Sequence, residues 1–271
     1  MTLAVVENDA VFIVQQPCAA NEYHQAIMQL VDKSELDLVD ANAQIVLGHG
    51  LYQIAQLEKP NVPENEWPQA LLWSAKDLVS IANENMLLDY FEYYSDNQNN
   101  KRLNVVACDK LLIKPVTDYL LSLDINIKGI SIVDIVLAQL INEPTPRVIV
   151  FHVPGMNVEV AIVKNGQLCF SRVIKGYDNL HQLSSVDFQA GHLNNLGLEI
   201  QRCIDFAVGQ LKLEAVTNVS LVVQNLEAAQ IASSLQELFD IDVAILPAPF
   251  SAEFERYPLS ALALAEMELA G

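Results

Sequence analysis

Hydrophobic and polar positions are patterned most clearly between Arg147 and Tyr177, RVIVFHVPGMNVEVAIVKNGQLCFSRVIKGY. Residues 148–151 form a continuous apolar run, the pattern of a strand covered on both faces. Pro154-Gly155 breaks it, and 158–164 follows as a second strand. Asn165-Gly166 marks a tight hairpin, because both residues tolerate positive φ and a type I′ turn matches strand twist. Leu168, Phe170, Arg172 and Ile174 then recur at alternate positions, and Gly176 closes the third strand. The pattern predicts a three-stranded meander.

The same reading extends along the chain. Strands are predicted at 3–7 and 10–15, joined at Asn8-Asp9, then a helix at 21–31 with Ala26, Ile27, Leu30 and Val31 on one face. Strands at 38–47 and 51–57 flank Gly48-His49-Gly50, which reads as a turn rather than a phosphate or metal site. KPNVPENE, 59–66, is the clearest internal punctuation. A helix at 67–82 follows, with Pro68 in its first turn and a stripe of Leu71, Leu72, Ala75, Leu78 and Val79. Next come a strand at 86–94, a polar loop at 95–102 and a strand at 103–108. A helix at 110–123 is interrupted or started at Pro115, and a strand at 125–130 completes an α+β unit. A helix at 132–140 and the proline-bearing stretch 142–147 precede the meander. After it, 177–191 reads as a loop with a short helix. The longest helical pattern, 193–213, has apolar positions around much of its surface, which predicts burial on more than one side. A strand at 218–223, a helix at 226–239 and a strand at 243–246 imply a right-handed parallel crossover. A last helix is expected at 260–269.

At 271 residues with 52% hydrophobic content, the chain can bury a substantial core. Its formal net charge is −19, from 15 Lys+Arg against 34 Asp+Glu. Such a surface repels phosphate backbones and anionic lipid, so neither nucleic acid nor direct membrane adhesion is expected. No apolar run has the ~20 residues of a spanning helix, and no basic n-region opens a secretory signal. Cys18, Cys108, Cys169 and Cys203 form no CxxC pair and read as free thiols in a reducing compartment. The five histidines, 24, 49, 152, 181 and 192, show no metal-ligand spacing. The expected location is the cytoplasm.

The meander resembles the opening of the second lobe in actin-like proteins, most closely the PilM branch that helps build type IV pili. The segments YQIAQLEKPNVPENEWPQALLWSAKDLV, LLDYFEYYSD and LNVVACDKLLIKPVTDYLLSLDINIKGISIVDI resemble the small inserted subdomain of that branch. They are most similar to its MshI-like members, which serve mannose-sensitive haemagglutinin (MSHA) pili. LGLEIQRCIDFAVGQLKLEAV resembles the family helix that begins L-x-x-E-I-Q-R and lies near the nucleotide cleft. The resemblance implies an α/β, actin-like (RNase H-like) two-lobe fold with a small α+β insertion. Its parts would be 1–60 (start of the first lobe), 61–129 (insertion), 130–145 (closing helix of the first lobe) and 146–271 (second lobe).

It also implies a site, and the residues depart from it. In the family the first meander turn carries an acidic residue, a glycine and a threonine that hold metal and phosphate. Here that turn is His152-Val153-Pro154-Gly155-Met156-Asn157, and the glycine alone matches. The first-lobe turn holds no glycine, with Asp9 its nearest acid and a plain turn residue by type. Tyr257-Pro258-Leu259-Ser260 lacks the glycine expected before the last helix. Asp178, like Asp9, does not lie where a phosphate would sit. Gly155, Asn157, Glu199 and Arg202 are therefore the candidate nucleotide residues. Glu199 and Arg202, at i and i+3, equally suit a surface ion pair. No cofactor is expected, with ATP and Mg²⁺ as the alternative, since phosphoryl chemistry needs both a carboxylate-bound metal and an amide cradle.

The family role is a scaffold at the inner face of the cytoplasmic membrane that binds the cytoplasmic tail of a PilN-like single-span protein. Trp67, Trp73, Tyr90 and Tyr93 are the candidate partner contacts, with subdomain core as the other reading of each. The alternatives are an active actin-like ATPase of the pilus machine and a GspL-like type II secretion scaffold; GspL-like chains add a span and a periplasmic domain that are not found here. A sugar or acyl kinase of the same wider fold finds no support in the residues.

Overall fold

The computed structural model describes residues 1–7, 10–19, 22–94 and 101–246. The Asn8-Asp9 turn, most of the 95–102 loop, the 257–260 turn and the helix expected at 260–269 lie outside the described residues. The chain divides into two compact units, Met1–Ile132 and Val133–Gly271.

In the first unit, β1 (Thr2–Glu7) and β2 (Ala10–Gln15) form an antiparallel hairpin. Helix α1 (Tyr23–Ser34) packs against this hairpin and buries Ala26, Ile27 and Leu30. Strand β3 (Asn42–Leu47) pairs in parallel with β7 (Asn126–Ile132). That pair bulges at Ala43/Gln44, opposite Gly129, where a Cβ would come within 2.9 Å of the Gln44 amide. Between β3 and β7 the chain builds a three-stranded sheet in the order β4 (Tyr52–Glu58), β6 (Arg102–Asp109), β5 (Met86–Glu92). On the central strand, Leu103, Val105 and Ala107 alternate onto one face and meet Leu71 and Ala75 of α2 (Trp67–Ala75). Helix α3 (Lys110–Ser122) begins at Asp109, whose carboxylate accepts from Leu111 N at 2.8 Å. It runs unbroken through Pro115.

The second unit is one five-stranded sheet in the order β10-β9-β8-β11-β12. Strands β8 (Arg147–His152), β9 (Val158–Lys164) and β10 (Gln167–Ile174) form the expected antiparallel meander. Asn165 and Gly166 turn its hairpin with φ of 53° and 70°, the type I′ signature. Strands β11 (Asn218–Val223) and β12 (Asp242–Ile245) continue from β8 in parallel. Phe170 meets Phe206 of α6 (Asn194–Gly209) at a ring distance of 4.8 Å. Its neighbour Ser171 donates to Asp134 of α4 (Val133–Gln139) at 2.6 Å. Consecutive strand residues point to opposite faces, so α4 and α6 cover the two sides of the meander. This is why Val158–Val163 is buried at every position. Short α5 (Ser185–Gln189) precedes α6, and α7 (Ala228–Gln236) packs on β11 and β12.

Several elements differ from the sequence reading. Strand β4 lies before residue 61, yet it pairs with β6 from Tyr52↔Cys108 to Glu58↔Arg102 and so belongs to the small sheet. Helix α4, expected to close the first lobe, packs on β9 and β10 and falls in the second unit. Helix α2 stops at Ala75 instead of 82, where the Gln53 side chain of β4 takes the Ser80 N–H at 2.9 Å. Helix α6 is buried along one stripe, Leu196, Gly197, Ile200, Cys203 and Ala207, rather than on several sides. Leu198, Phe206 and Val208 are exposed. Helix α7 begins two residues late because Asn225 Oδ1 accepts from Glu227 N at 2.6 Å, which leaves Leu226 in solvent.

Candidate functional site

The turn after β8 is set by local chemistry. Pro154 supplies its fixed φ and Gly155 adopts φ +80°, as a type II turn requires at its third position. Met156 N donates to Val153 O at 3.1 Å. Asn157 Oδ1 accepts from Gly176 N at 3.1 Å.

Gly176 lies on the wall of a cavity of ≈870 Å³ in the second unit. One wall is the end of β10 and the segment after it, including Arg172, Lys175 and Tyr177. The other comes from α5 and the start of α6, including Asp187, His192 and Glu199. The charges are mixed. Glu199 sits between two arginines: Arg172 approaches its carboxylate at 3.5 Å, and Arg202, one helical turn on, hydrogen-bonds its other oxygen. The i, i+3 ion pair predicted from spacing is formed, and the same carboxylate faces the cavity. Partial burial raises the Tyr177 phenol pKa, and the negative charge of Glu199 adds to the shift.

Asp187 is committed elsewhere. Its carboxylate accepts from both the backbone N–H and the hydroxyl of Ser184, at 2.8 and 2.7 Å, in a capping box on α5. These bonds hold its pKa below the usual carboxylate value. The start of α5 is thus occupied by the chain's own anion. Behind the cavity, burial pushes the Cys203 thiol up to about 11, so it stays protonated at neutral pH.

Of the four candidate nucleotide residues, Glu199 lines the cavity and Arg202 bonds to it. Asn157 supports the wall through Gly176, and Gly155 serves its turn. A Cβ at Gly155 would meet nothing within 4 Å, so backbone φ and not crowding selects the glycine.

The aromatic candidates in the first unit separate into two kinds. Trp67 donates its indole N–H to Val62 O at 3.0 Å and packs on Tyr90 at 5.6 Å, both against the small-sheet core. Tyr93, just past β5, is half-buried. Trp73 is different: it is 71% exposed on α2, with the Lys76 ammonium 3.6 Å from its ring centroid.

Sequence reasoning did not single out Asp134 or Glu159. Both are buried on the α4 side of the meander, with carboxylate oxygens within 4.8 Å of each other. The signal was available, since a glutamate inside VEVAIVK is a charge in an otherwise apolar strand.

No protein-family model matches the sequence. No curated protein matches it either. Solved structures do. A chain of the PilM–PilN type IV pilus biogenesis complex superposes with a TM-score of 0.71 at 15% identity, over 99% of this chain and 95% of that one. Together with the antiparallel meander continued by parallel crossovers, this decides the architecture. The fold is actin-like. The cytoplasmic domain of EpsL, an inner-membrane component of the type II secretion system of Vibrio cholerae, aligns over 89% of this chain at 12% identity with a TM-score of 0.47. A Bacteroides thetaiotaomicron protein of actin-like ATPase fold and unknown function aligns over 89% at 10% identity, with a TM-score of 0.43. No helix among the described residues is long and apolar enough to cross a membrane.

Proposed function

We propose that this protein is a non-enzymatic scaffold of a type IV pilus machine, holding the cytoplasmic tail of a PilN-like inner-membrane protein. The observation that carries the reading is the extent of the likeness to a chain of the PilM–PilN complex, which spans 99% of this chain and so includes the small sheet. The partner would keep the protein at the inner face of the membrane, consistent with a surface of net charge −19 that lipid headgroups would not attract. The sequence features of the insertion favour the MSHA branch.

Among the described residues the donor set of the second unit fits Mg–ATP poorly, and this favours a scaffold over an ATPase. A phosphate cradle needs several free backbone N–H groups and a carboxylate for the metal. The second-unit turn offers one glycine, Asn157 is spent on Gly176, and the Asp187 carboxylate fills the start of α5. Glu199 is already paired with two arginines. No catalytic step is assigned.

In our reading the partner contact lies on the small sheet's helix, and the exposure of Trp73 supports it as the aromatic anchor. The test is a calorimetric titration of the full chain with a synthetic peptide of the PilN-like tail. Saturable binding that Trp73→Ala weakens, with the melt unchanged, is the expected result. A folded chain that takes up no peptide at millimolar concentration would overturn the proposal.

A further inference from the structure

His152 ends β8 and is fully buried. Its ring stacks on that of His181, with centroids 5.7 Å apart and planes 18° from parallel. His181 sits on the short 3-10 turn Leu180–Gln182. Neither ring nitrogen of His152 makes a hydrogen bond of full geometry, although the backbone at Asp178 and Met156 lies close by. The titratable groups facing His152 among the described residues are His181 and Asp178. Burial is the main influence and holds the imidazole neutral, with its pKa lowered to about 4; His181 acts in the same direction and Asp178 against it.

The segment that carries His181 is also cavity wall: Tyr177, Asn179 and Leu183 line it. Besides the stack, it is held by the Asn225 amide, which donates to Leu180 O at 2.8 Å and Leu183 O at 3.1 Å, and by the buried Leu180 side chain. The stack is thus one of the ties that hold this wall, beside the Asn225 amide and the buried Leu180 side chain.

We infer that the His152–His181 stack is a proton-operated latch: with His152 neutral it holds segment 177–183 against β8, and protonation of His152 releases that wall of the cavity. A charged His152 needs water, and water reaches it only when the covering segment lifts. In the lifted state the ring regains an ordinary histidine pKa near 6.5. The lifted state therefore binds protons first, and its population grows as pH falls below that value. Any ligand that needs Tyr177 and Asn179 in place is then held less tightly in acid.

Amide hydrogen exchange on the full chain at pH 7 and pH 4.5, corrected for the intrinsic effect of pH, tests the latch. Opening of 177–183 is expected to rise by tens of fold at the lower pH, while β8 and β9 stay protected. In His152→Phe, which keeps a ring against His181 but cannot be protonated, the rise should vanish; His152→Leu serves the same purpose if the Phe variant does not fold. No rise in the wild-type protein, or an equal rise in a folded variant, would overturn the inference. The wild-type comparison stands without either variant.

Discussion

Asn157 Oδ1 accepts the Gly176 N–H at 3.1 Å, joining the turn after β8 to the end of β10. The bond crosses 19 residues of sequence and closes the open end of the meander. It makes Asn157, a candidate nucleotide residue, a brace for the cavity wall. Asn157→Ala should lower stability by about 1 kcal/mol, the net worth of one such bond. For a chain of this length that is a fall in melting temperature of about 2–4 °C. Scanning calorimetry reads it directly, and an unchanged melt would show that the brace is not needed.

The two tryptophans should behave oppositely. Trp73→Ala loses one solvent-exposed cation–π contact, at most about 1 kcal/mol, and should melt almost like the wild type. Trp67→Ala removes a ring packed on Tyr90 and the small-sheet core, together with the hydrogen bond to Val62, and should cost about 2–4 kcal/mol. Urea unfolding of both variants separates a partner residue from a folding residue.

Much of the second unit could be read locally. The strands at 158–164 and 218–223 have the expected bounds, and Asn165-Gly166 takes the predicted turn, because alternation and turn chemistry are properties of adjacent residues. What escaped depends on distant side chains. Helix α2 ends where Gln53, 27 residues away, captures the Ser80 N–H. Strand β4 joins the small sheet across the punctuation at 59–66, so composition misplaced the boundary. The apolar turns of α6 do not reveal that Leu198, Phe206 and Val208 stay exposed. Glu199, which lines the cavity, and Arg202, which pairs with it, were singled out through spacing and resemblance. The roles of Asp187 and His181 emerge only once the chain is folded.

Ser171 and Asp134, 37 residues apart, form a part-buried polar contact on the α4 face. A short hydrogen bond to a buried carboxylate is worth more than a neutral one. Ser171→Ala should therefore destabilise the fold by about 1–3 kcal/mol, with Ser171→Thr losing less. The denaturant midpoints of the two variants check this order.

His152 also sets a pH dependence of global stability. Its folded pKa of about 4 lies below the ordinary histidine value of 6.5, so the unfolded chain binds this proton first. The contribution is complete above pH 6.5, declines as pH falls toward 4, and changes no further below that. Over the whole window the loss is about 3 kcal/mol. Urea midpoints at pH 7 and pH 5 should differ more for the wild type than for His152→Leu, after the common effect of the carboxylates is subtracted.

The central claim is a scaffold whose nucleotide site no longer works, and a thermal-melt titration with Mg-ATP and Mg-ADP tests it most directly. A ligand at ~100 times its Kd adds about 2.7 kcal/mol of stability, which would raise the melting temperature by several degrees. The account predicts no shift at millimolar nucleotide. A saturable shift that Glu199→Ala abolishes would contradict it and return the ATPase reading to first place.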